Sequence, residues 1–169
     1  KLGSGGMGVV YKAEDTRLGR WVALKFLSES FARDRHALTR FQLEARVIAS
    51  LEHENICTIH DIGEYEGSCF IVMQLLDGMT LADRLVEGAC DVEEVTTFGI
   101  EIASALDKAH RSGVIHRDLK PGNVFVTKDG HIKLLDFGLA KLQLERTEQS
   151  MLPTVASAPL TNPGAAVGT

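Results

Sequence analysis

The sequence predicts an α+β fold in two parts, and three observations carry that expectation. Strand-like segments crowd the first half, helical periodicity governs the middle, and two short apolar runs separated by Asp-Gly close the patterned region. At 169 residues the chain matches one ordinary domain or the larger part of a two-lobed one. Its 44% hydrophobic and 24% charged residues are those of a globular protein. No apolar stretch approaches the roughly 20 residues that cross a bilayer, so the chain reads as soluble and cytoplasmic, any membrane anchor of a parent protein lying outside this segment. A net charge of -5 without a basic run gives nucleic acid no footing.

The elements follow in order. Val9, Val10 and Tyr11 open a strand over 9–13. A turn at 15–19 leads into a second strand over 21–26. Phe41, Ala45, Ile48 and Leu51 recur at helical spacing and predict a helix over 37–51. Two further strands are expected at 56–62 and 69–76, joined by a turn at 63–68. Helices are expected at 81–86 and 92–110, the second facing a core with Val95, Phe98, Ile102, Leu106 and Ala109 and ending at Gly113. From about residue 143 Ser, Thr, Pro, Ala and Gly dominate without a period, which reads as a mobile loop or tail. The junction between the two parts falls near Gly78, giving divisions of 1–77 and 78–169. Cys57, Cys69 and Cys90 form no C-x-x-C pair, so neither a disulfide framework nor a zinc site is expected. No leader precedes the first strand, and the abrupt start at Lys1 reads as the loss of an upstream segment.

The chemistry concentrates in SGVIHRDLKPGNVFVTKDGHIKLLDFG, residues 112–138. Strands at 124–127 and 132–135 joined by Lys128-Asp129-Gly130-His131 form a hairpin. Pairing Thr127 with Ile132 and Val124 with Leu135 sets Asn123 opposite Asp136. Those two oxygen-bearing side chains, completed by phosphate oxygens and water, suit a hard octahedral cation such as Mg²⁺. Asp118 lies near the same spot, free to accept a proton. Any one of these residues alone reads equally well as a turn former; their joint spacing does not. His116-Arg117-Asp118-Leu119, with Asn123 and then Asp136-Phe137-Gly138, resembles the catalytic loop and metal motif of the eukaryotic-like serine/threonine protein kinases, in the flavour of their bacterial branch.

Gly3-Ser4-Gly5-Gly6-Met7-Gly8-Val9-Val10 contains G-x-G-x-x-G-x-V, which dinucleotide folds share in part. Here the glycines run into a β-branched strand rather than a helix, so they form a hairpin flap whose backbone N–H groups approach phosphate. No Gly-Lys-Ser/Thr closes a Walker loop. Val22-Ala23-Leu24-Lys25 resembles the kinase V-A-I-K with Leu for Ile, and on a strand Ala23 and Lys25 share a face. Helical spacing places Glu44 inside an apolar stripe, where its carboxylate needs a partner; Lys25 is the candidate.

The resemblance implies a protein-kinase-like fold, with an antiparallel N-lobe sheet and one long helix followed by the first part of a mainly helical C-lobe. It implies that Lys25 grips the α- and β-phosphates of ATP and is held by Glu44. The flap residues Gly3, Ser4, Gly5, Gly6 and Gly8 would cover the phosphates. Adenine would lie between Val10 and Ala23 above and Phe125 below, with Met73 at the back; Gln74 to Leu76 would read its edge through the backbone. Many relatives carry an acidic residue where Gln74 stands, a departure that leaves the backbone contacts intact. Asp118 would accept the substrate proton, Lys120 would steady the phosphoryl group, and Asn123 and Asp136 would hold Mg²⁺. Lys120 further implies Ser/Thr acceptors in protein substrates. Arg117 implies docking of a phosphorylated activation segment, with Thr147, Ser150, Thr154, Ser157 and Thr161 as candidate sites of autophosphorylation.

His60 and His131 have no second ligand at metal spacing and read as surface or satisfied histidines. The likeness ends at Gly168-Thr169, before A-P-E and the later helices, so a truncated domain is expected. Two readings follow: an active protein kinase of which this is the nucleotide-binding and catalytic portion, or a kinase-fold binding module without efficient turnover. A small-molecule kinase is disfavoured by Lys120 and the hydroxyl-rich segment. Oligomeric state is left open.

Overall fold

The computed structural model describes residues 1–5, 8–27 and 35–137. The glycine-rich start folds back on itself: β1 (Gly3–Gly5) pairs antiparallel with β2 (Gly8–Asp15), Gly5 opposite Gly8. Asp15 then stops the strand, its Oδ1 accepting from the N–H groups of Arg17 and Leu18, an Asx turn that returns the chain as β3 (Arg20–Leu27). Helix α1 (Arg35–Ala49) buries Ala45 and Ile48. Strands β4 (Ile59–Tyr65) and β5 (Ser68–Gln74) complete a five-stranded antiparallel sheet in the order β1-β2-β3-β5-β4.

The expected strand over 56–62 begins later than predicted. Ile56 instead bridges Leu134 of the second sheet, and Cys57 donates its N–H to the Leu134 carbonyl at 3.0 Å. These residues link the two sheets rather than extend β4. At its other end β4 outlasts the expectation, because Glu66 and Gly67 both adopt positive φ (49° and 73°) and form a two-residue turn whose twist matches that of the flanking strands.

The second sheet is smaller. Strand β6 (Gly78–Thr80), absent from the sequence reading, pairs with β7 (Val124–Thr127), which pairs with β8 (Ile132–Leu134). Thr80 caps α2 (Leu81–Val86) by accepting from the Asp83 N–H. Asp91 and Glu94 form a reciprocal capping box at the start of α3 (Val92–Arg111). That helix ends as expected at Gly113, where the Val114 N–H reaches the Ala109 carbonyl and the Gly113 N–H reaches His110.

Helix α3 turns Phe98, Ala105 and Ala109 into the core, with Ile102 and Leu106 packed beside them. Val95 breaks the predicted stripe: in the first turn of the helix it is 58% exposed. The core joins Ile48 and Leu51 to Phe98, Val124, Ile132, Leu134 and Phe137. The core therefore joins the small sheet to α1 and α3, with Ile59 of β4 packed against it. No described helix is long and apolar enough to cross a membrane.

Candidate active site

The β7–β8 hairpin sets the geometry, and its register differs from the expected one by a residue. Val124 pairs with Leu134 and Val126 with Ile132, while Thr127 donates its N–H to the His131 carbonyl. The loop is therefore three residues, not four: Gly130 at φ 81° donates to the Thr127 carbonyl, the turn-plus-bulge geometry that a left-handed glycine permits. Asn123 consequently lies across from Leu135, whose N–H its carbonyl accepts at 2.9 Å, and Asp136 follows one residue beyond the ladder. Asp136 itself adopts a left-handed φ of 57°, which turns it out of the strand direction.

Among the described residues no strand neighbours the outer edge of β8, yet its outward backbone groups are matched. The Ile132 N–H donates to Glu101 Oε2 at 2.7 Å, and the Ile132 carbonyl accepts from Asn55 Nδ2 at 3.0 Å. The Leu134 N–H meets the Asn55 carbonyl, and the Leu134 carbonyl meets Cys57. At Leu135 the carbonyl accepts from His116 Nε2 at 2.9 Å. Such matching is what burial demands of backbone polar groups. The sequence reading missed Glu101, Asn55 and the bridging role of His116.

His116 ties the loop that carries Asp118 to this strand. Only 2% exposed, it packs its ring 4.6 Å from that of Phe137. Burial, the largest influence, lowers its pKa below that of a free imidazole, which favours the neutral ring. With Nε2–H committed to Leu135, Nδ1 accepts from the Asp118 N–H at 3.4 Å. Arg117, between them, takes a left-handed φ of 63°. Backbone strain of this kind persists where surrounding contacts over-determine it.

Asp118, Lys120 and Asn123 form one cluster. Lys120 Nζ donates to Asp118 Oδ2 at 2.7 Å, and Asn123 Nδ2 donates to the same oxygen and to the Asp118 carbonyl, both at 2.9 Å. The Lys120 hydrogen bond is the main reason the Asp118 pKa is lowered, with Asn123 adding to it. A 3₁₀ turn at Pro121–Asn123 supplies the short path between these residues. Both hydrogen bonds of the Asn123 side chain to Asp118 use Nδ2, so Oδ1 is the atom that could face a cation.

Lys25 reaches from β3 across 111 positions to Asp136: Nζ lies 2.5 Å from Oδ2, the side chains 7% and 13% exposed. Asp136 is thus a described carboxylate partner of this buried ammonium. Glu44 lies on α1, but its side chain is outside the described residues. Ala23, 5% exposed, sits opposite Met73, and Lys25 opposite Ile71 and Val10. A cavity of about 20 Å³ behind Met73 is lined by Ile71, Cys57, Asp136 and Phe137 among others. It has room for about one water, so the back of this cleft is nearly filled. Burial pushes the Cys57 thiol up to about 12.

On the flap, a Cβ at Gly8 would fall 1.8 Å from the Phe26 carbonyl oxygen, with φ at 130°, whereas a Cβ at Gly3 would meet no protein atom. Gly8 is thus required by the sheet itself, and Gly3 leaves open space. Ser4 and Gly5 lie in β1, and Gly6 is outside the described residues. The Gln74 N–H donates to the Thr58 carbonyl, while its side-chain Oε1 is buried without a described partner. Leu76 is half-buried after β5, and Phe125 packs near Gly78. A groove of about 380 Å³ opens on the opposite face of the large sheet, beside Val22, Leu24 and Val72; none of the expected site residues borders it. The five hydroxyl residues from Thr147 to Thr161, with Gly138 and Gly168-Thr169, lie outside the described residues.

The donor set fits a hard cation shared with a ligand rather than a metal held by protein alone. Among the described residues no three His, Cys, Asp or Glu side chains gather as a metal group, while Asn123 and Asp136 offer oxygen. Magnesium commonly uses one or two protein ligands and completes its shell with phosphate and water.

Comparison with known proteins agrees with this arrangement: the protein kinase domain family matches residues 1–159. The chain belongs to the protein kinase family. Its place is among the eukaryotic-like serine/threonine kinases of bacteria. It is 48% identical over 143 residues to the probable serine/threonine-protein kinase PknB of Lactococcus lactis, covering 83% of this chain and 23% of that protein. Identity to the serine/threonine-protein kinase PknL of Mycobacterium tuberculosis is 38% over 170 residues, covering 100% of this chain and 40% of the relative. The chain thus spans well under half the length of these relatives. The solved kinase domain of M. tuberculosis PknI superposes with a TM-score of 0.74 at 38% identity, covering 82% of this kinase-family chain and 57% of that one. The expected kinase-like fold is therefore observed, and membership of the family implies ATP and a divalent metal ion as cofactors.

Proposed function

We propose that the protein containing this chain transfers the γ-phosphoryl group of Mg-ATP to serine and threonine hydroxyls of proteins. The observation that carries this reading is the Asp118 carboxylate, kept ionised by Lys120 and positioned by Asn123, with a second carboxylate, Asp136, delivered by the adjacent strand. Two carboxylates with distinct partners suit two distinct tasks. Asp118 orients the acceptor hydroxyl and takes its proton. Lys120, already beside Asp118, offers positive charge to the phosphoryl group as it moves between oxygens.

Lys25 binds the α- and β-phosphates from β3, and the glycine flap covers them with backbone N–H groups. Asn123 Oδ1 and Asp136 would hold Mg²⁺, which when bound offsets the negative charge of the phosphates. The 2.5 Å contact between Lys25 and Asp136 supports this division, since it joins the phosphate-binding cation to the metal-binding carboxylate. Val10, Ala23, Met73 and Phe125 form the apolar adenine slot, read at its edge by the backbone of Gln74 to Leu76. Residues 1–77 act as the upper lobe and residues from 78 onward as the lower. Autophosphorylation would fall in the hydroxyl-rich segment after Gly138. Lys120 and the names of the relatives support protein Ser/Thr acceptors over small molecules.

The test is phosphoryl transfer from γ-³²P-ATP to a protein acceptor by the complete kinase domain of the parent protein. Lys25→Met and Asp118→Asn should each lower the rate by about 10²–10⁴-fold, with circular dichroism unchanged. Wild-type rates in both variants would overturn the assignment.

A further inference from the structure

We infer that Glu101, at the middle of α3, is a positioning residue that sets Asp136 for its metal by supplying the acceptor missing from the outer edge of β8. This rests on the proposed role of Asp136. Strand β8 is only three residues long. Its inner edge meets β7, but at the Val126–Ile132 pair the N–H and carbonyl of Ile132 face outward. Glu101 answers that N–H at 2.7 Å through Oε2, and its Oε1 lies 2.6 Å from His131 Nδ1 at the turn. The carboxylate is 16% exposed, although it lies in the middle of a helix whose other acidic residues face solvent or cap its start. One side chain thus clamps two consecutive residues at the closed end of the hairpin.

The clamp acts on the site through strand register. Side chains alternate along β8, so a slip of one residue would send Ile132 and Leu134, both 0% exposed, out of the core. Such a slip would also turn Asp136 away from Lys25. The turn sets this register through the hydrogen bonds of Thr127 with His131 and of Gly130 with Thr127, but residues 128–131 are exposed. A charge-assisted bond to the first N–H of the strand holds the same register from the helix side. Asn55 does the same for the Ile132 carbonyl, but from a buried loop whose removal would disturb the core; Glu101 can be changed from the solvent side.

The proposal is tested on the complete kinase domain with Glu101→Ala, which removes the acceptor, and Glu101→Gln, which keeps an acceptor oxygen without the charge. Amide hydrogen exchange at Ile132 and binding of ATP with and without Mg²⁺ are measured for each. In Glu101→Ala, exchange at Ile132 should accelerate about tenfold or more. Mg-ATP binding should weaken severalfold while metal-free ATP binding stays at the wild-type value. Glu101→Gln should recover most of both. Equal Mg-ATP affinity in Glu101→Ala and wild type would overturn the inference alone, as would an equal loss with and without metal. A wild-type domain whose ATP binding ignores Mg²⁺ would overturn this inference together with the proposed function.

Discussion

The two sheets satisfy their backbones by opposite means. In the five-stranded sheet, β2 and β3 run eight residues each and exchange ladder bonds along their whole length. In the three-stranded sheet no strand exceeds four residues, and the outer edge of β8 relies on Glu101, Asn55 and the loop at Cys57. The large sheet is a scaffold whose hydrogen bonds do not depend on particular side chains. The small sheet, whose strands flank Asn123 and Asp136, depends on several. A site can be held to sub-ångström tolerance by side-chain hydrogen bonds, at the cost of sensitivity to single substitutions.

The largest effect that would break this contrast comes from Asn55, 5% exposed. Asn55→Ala orphans the Ile132 carbonyl and leaves a void, and should destabilise the domain by about 3 kcal/mol. Glu64→Ala, on the exposed part of β4, should stay within about 0.5 kcal/mol. Urea denaturation of both variants checks the pair, and similar losses would remove the distinction between the sheets.

Gly8 marks a place where the large sheet depends on a particular residue, as does Gly63, where an added Cβ would fall 2.3 Å from the Phe70 ring. At Gly8 a φ of 130° and the approach to Phe26 leave no room for a Cβ, so Gly8→Ala should cost about 2 kcal/mol. Gly3→Ala, which meets no protein atom, should leave thermal stability unchanged while weakening ATP binding. Thermal melts and nucleotide titration separate the two.

Smaller effects come from the histidines bound to the small sheet, and their signs oppose each other. The His116 pKa is lowered in the fold, chiefly by burial, so the unfolded chain binds more protons below about pH 6.5 and stability falls as pH drops through that region. The His131 pKa is raised by Glu101. Its contribution is complete below the unfolded value and is lost as pH rises through the folded one. NMR titration of the two rings should show His131 titrating above a free histidine and His116 below it, with the His131 shift gone in Glu101→Gln.

Much of this was legible in the chain. The glycine flap, the V-A-L-K strand, the end of α3 at Gly113 and the Asp118–Asn123 spacing are local patterns, and local patterns survive folding when propensity and burial agree. What was not legible depends on long-range partners or on backbone twist. Asp-Gly signalled a hairpin, yet the left-handed Gly130 chose a three-residue loop and moved the register by one. Helical spacing pointed from Lys25 to Glu44, while the described partner, Asp136, lies 111 residues away with nothing local to announce it. Ile56 read as the start of a strand because it is β-branched; its bridge to Leu134 exists only once both sheets are assembled. Glu101 drew no reading at all, since no periodicity reveals an edge strand waiting beside a helix.

The most direct test of the central claim, that the loop at Asn123 and the chain leaving β8 at Asp136 converge on one divalent ion, is paramagnetic relaxation by Mn²⁺ substituted for Mg²⁺ in the presence of ATP. The account predicts that signals of Asn123 and Asp136 broaden together at the same low Mn²⁺ concentration, while those of Glu64 and Tyr65 at the far turn of the large sheet stay sharp. Broadening of only one of the two, or of neither, would contradict it.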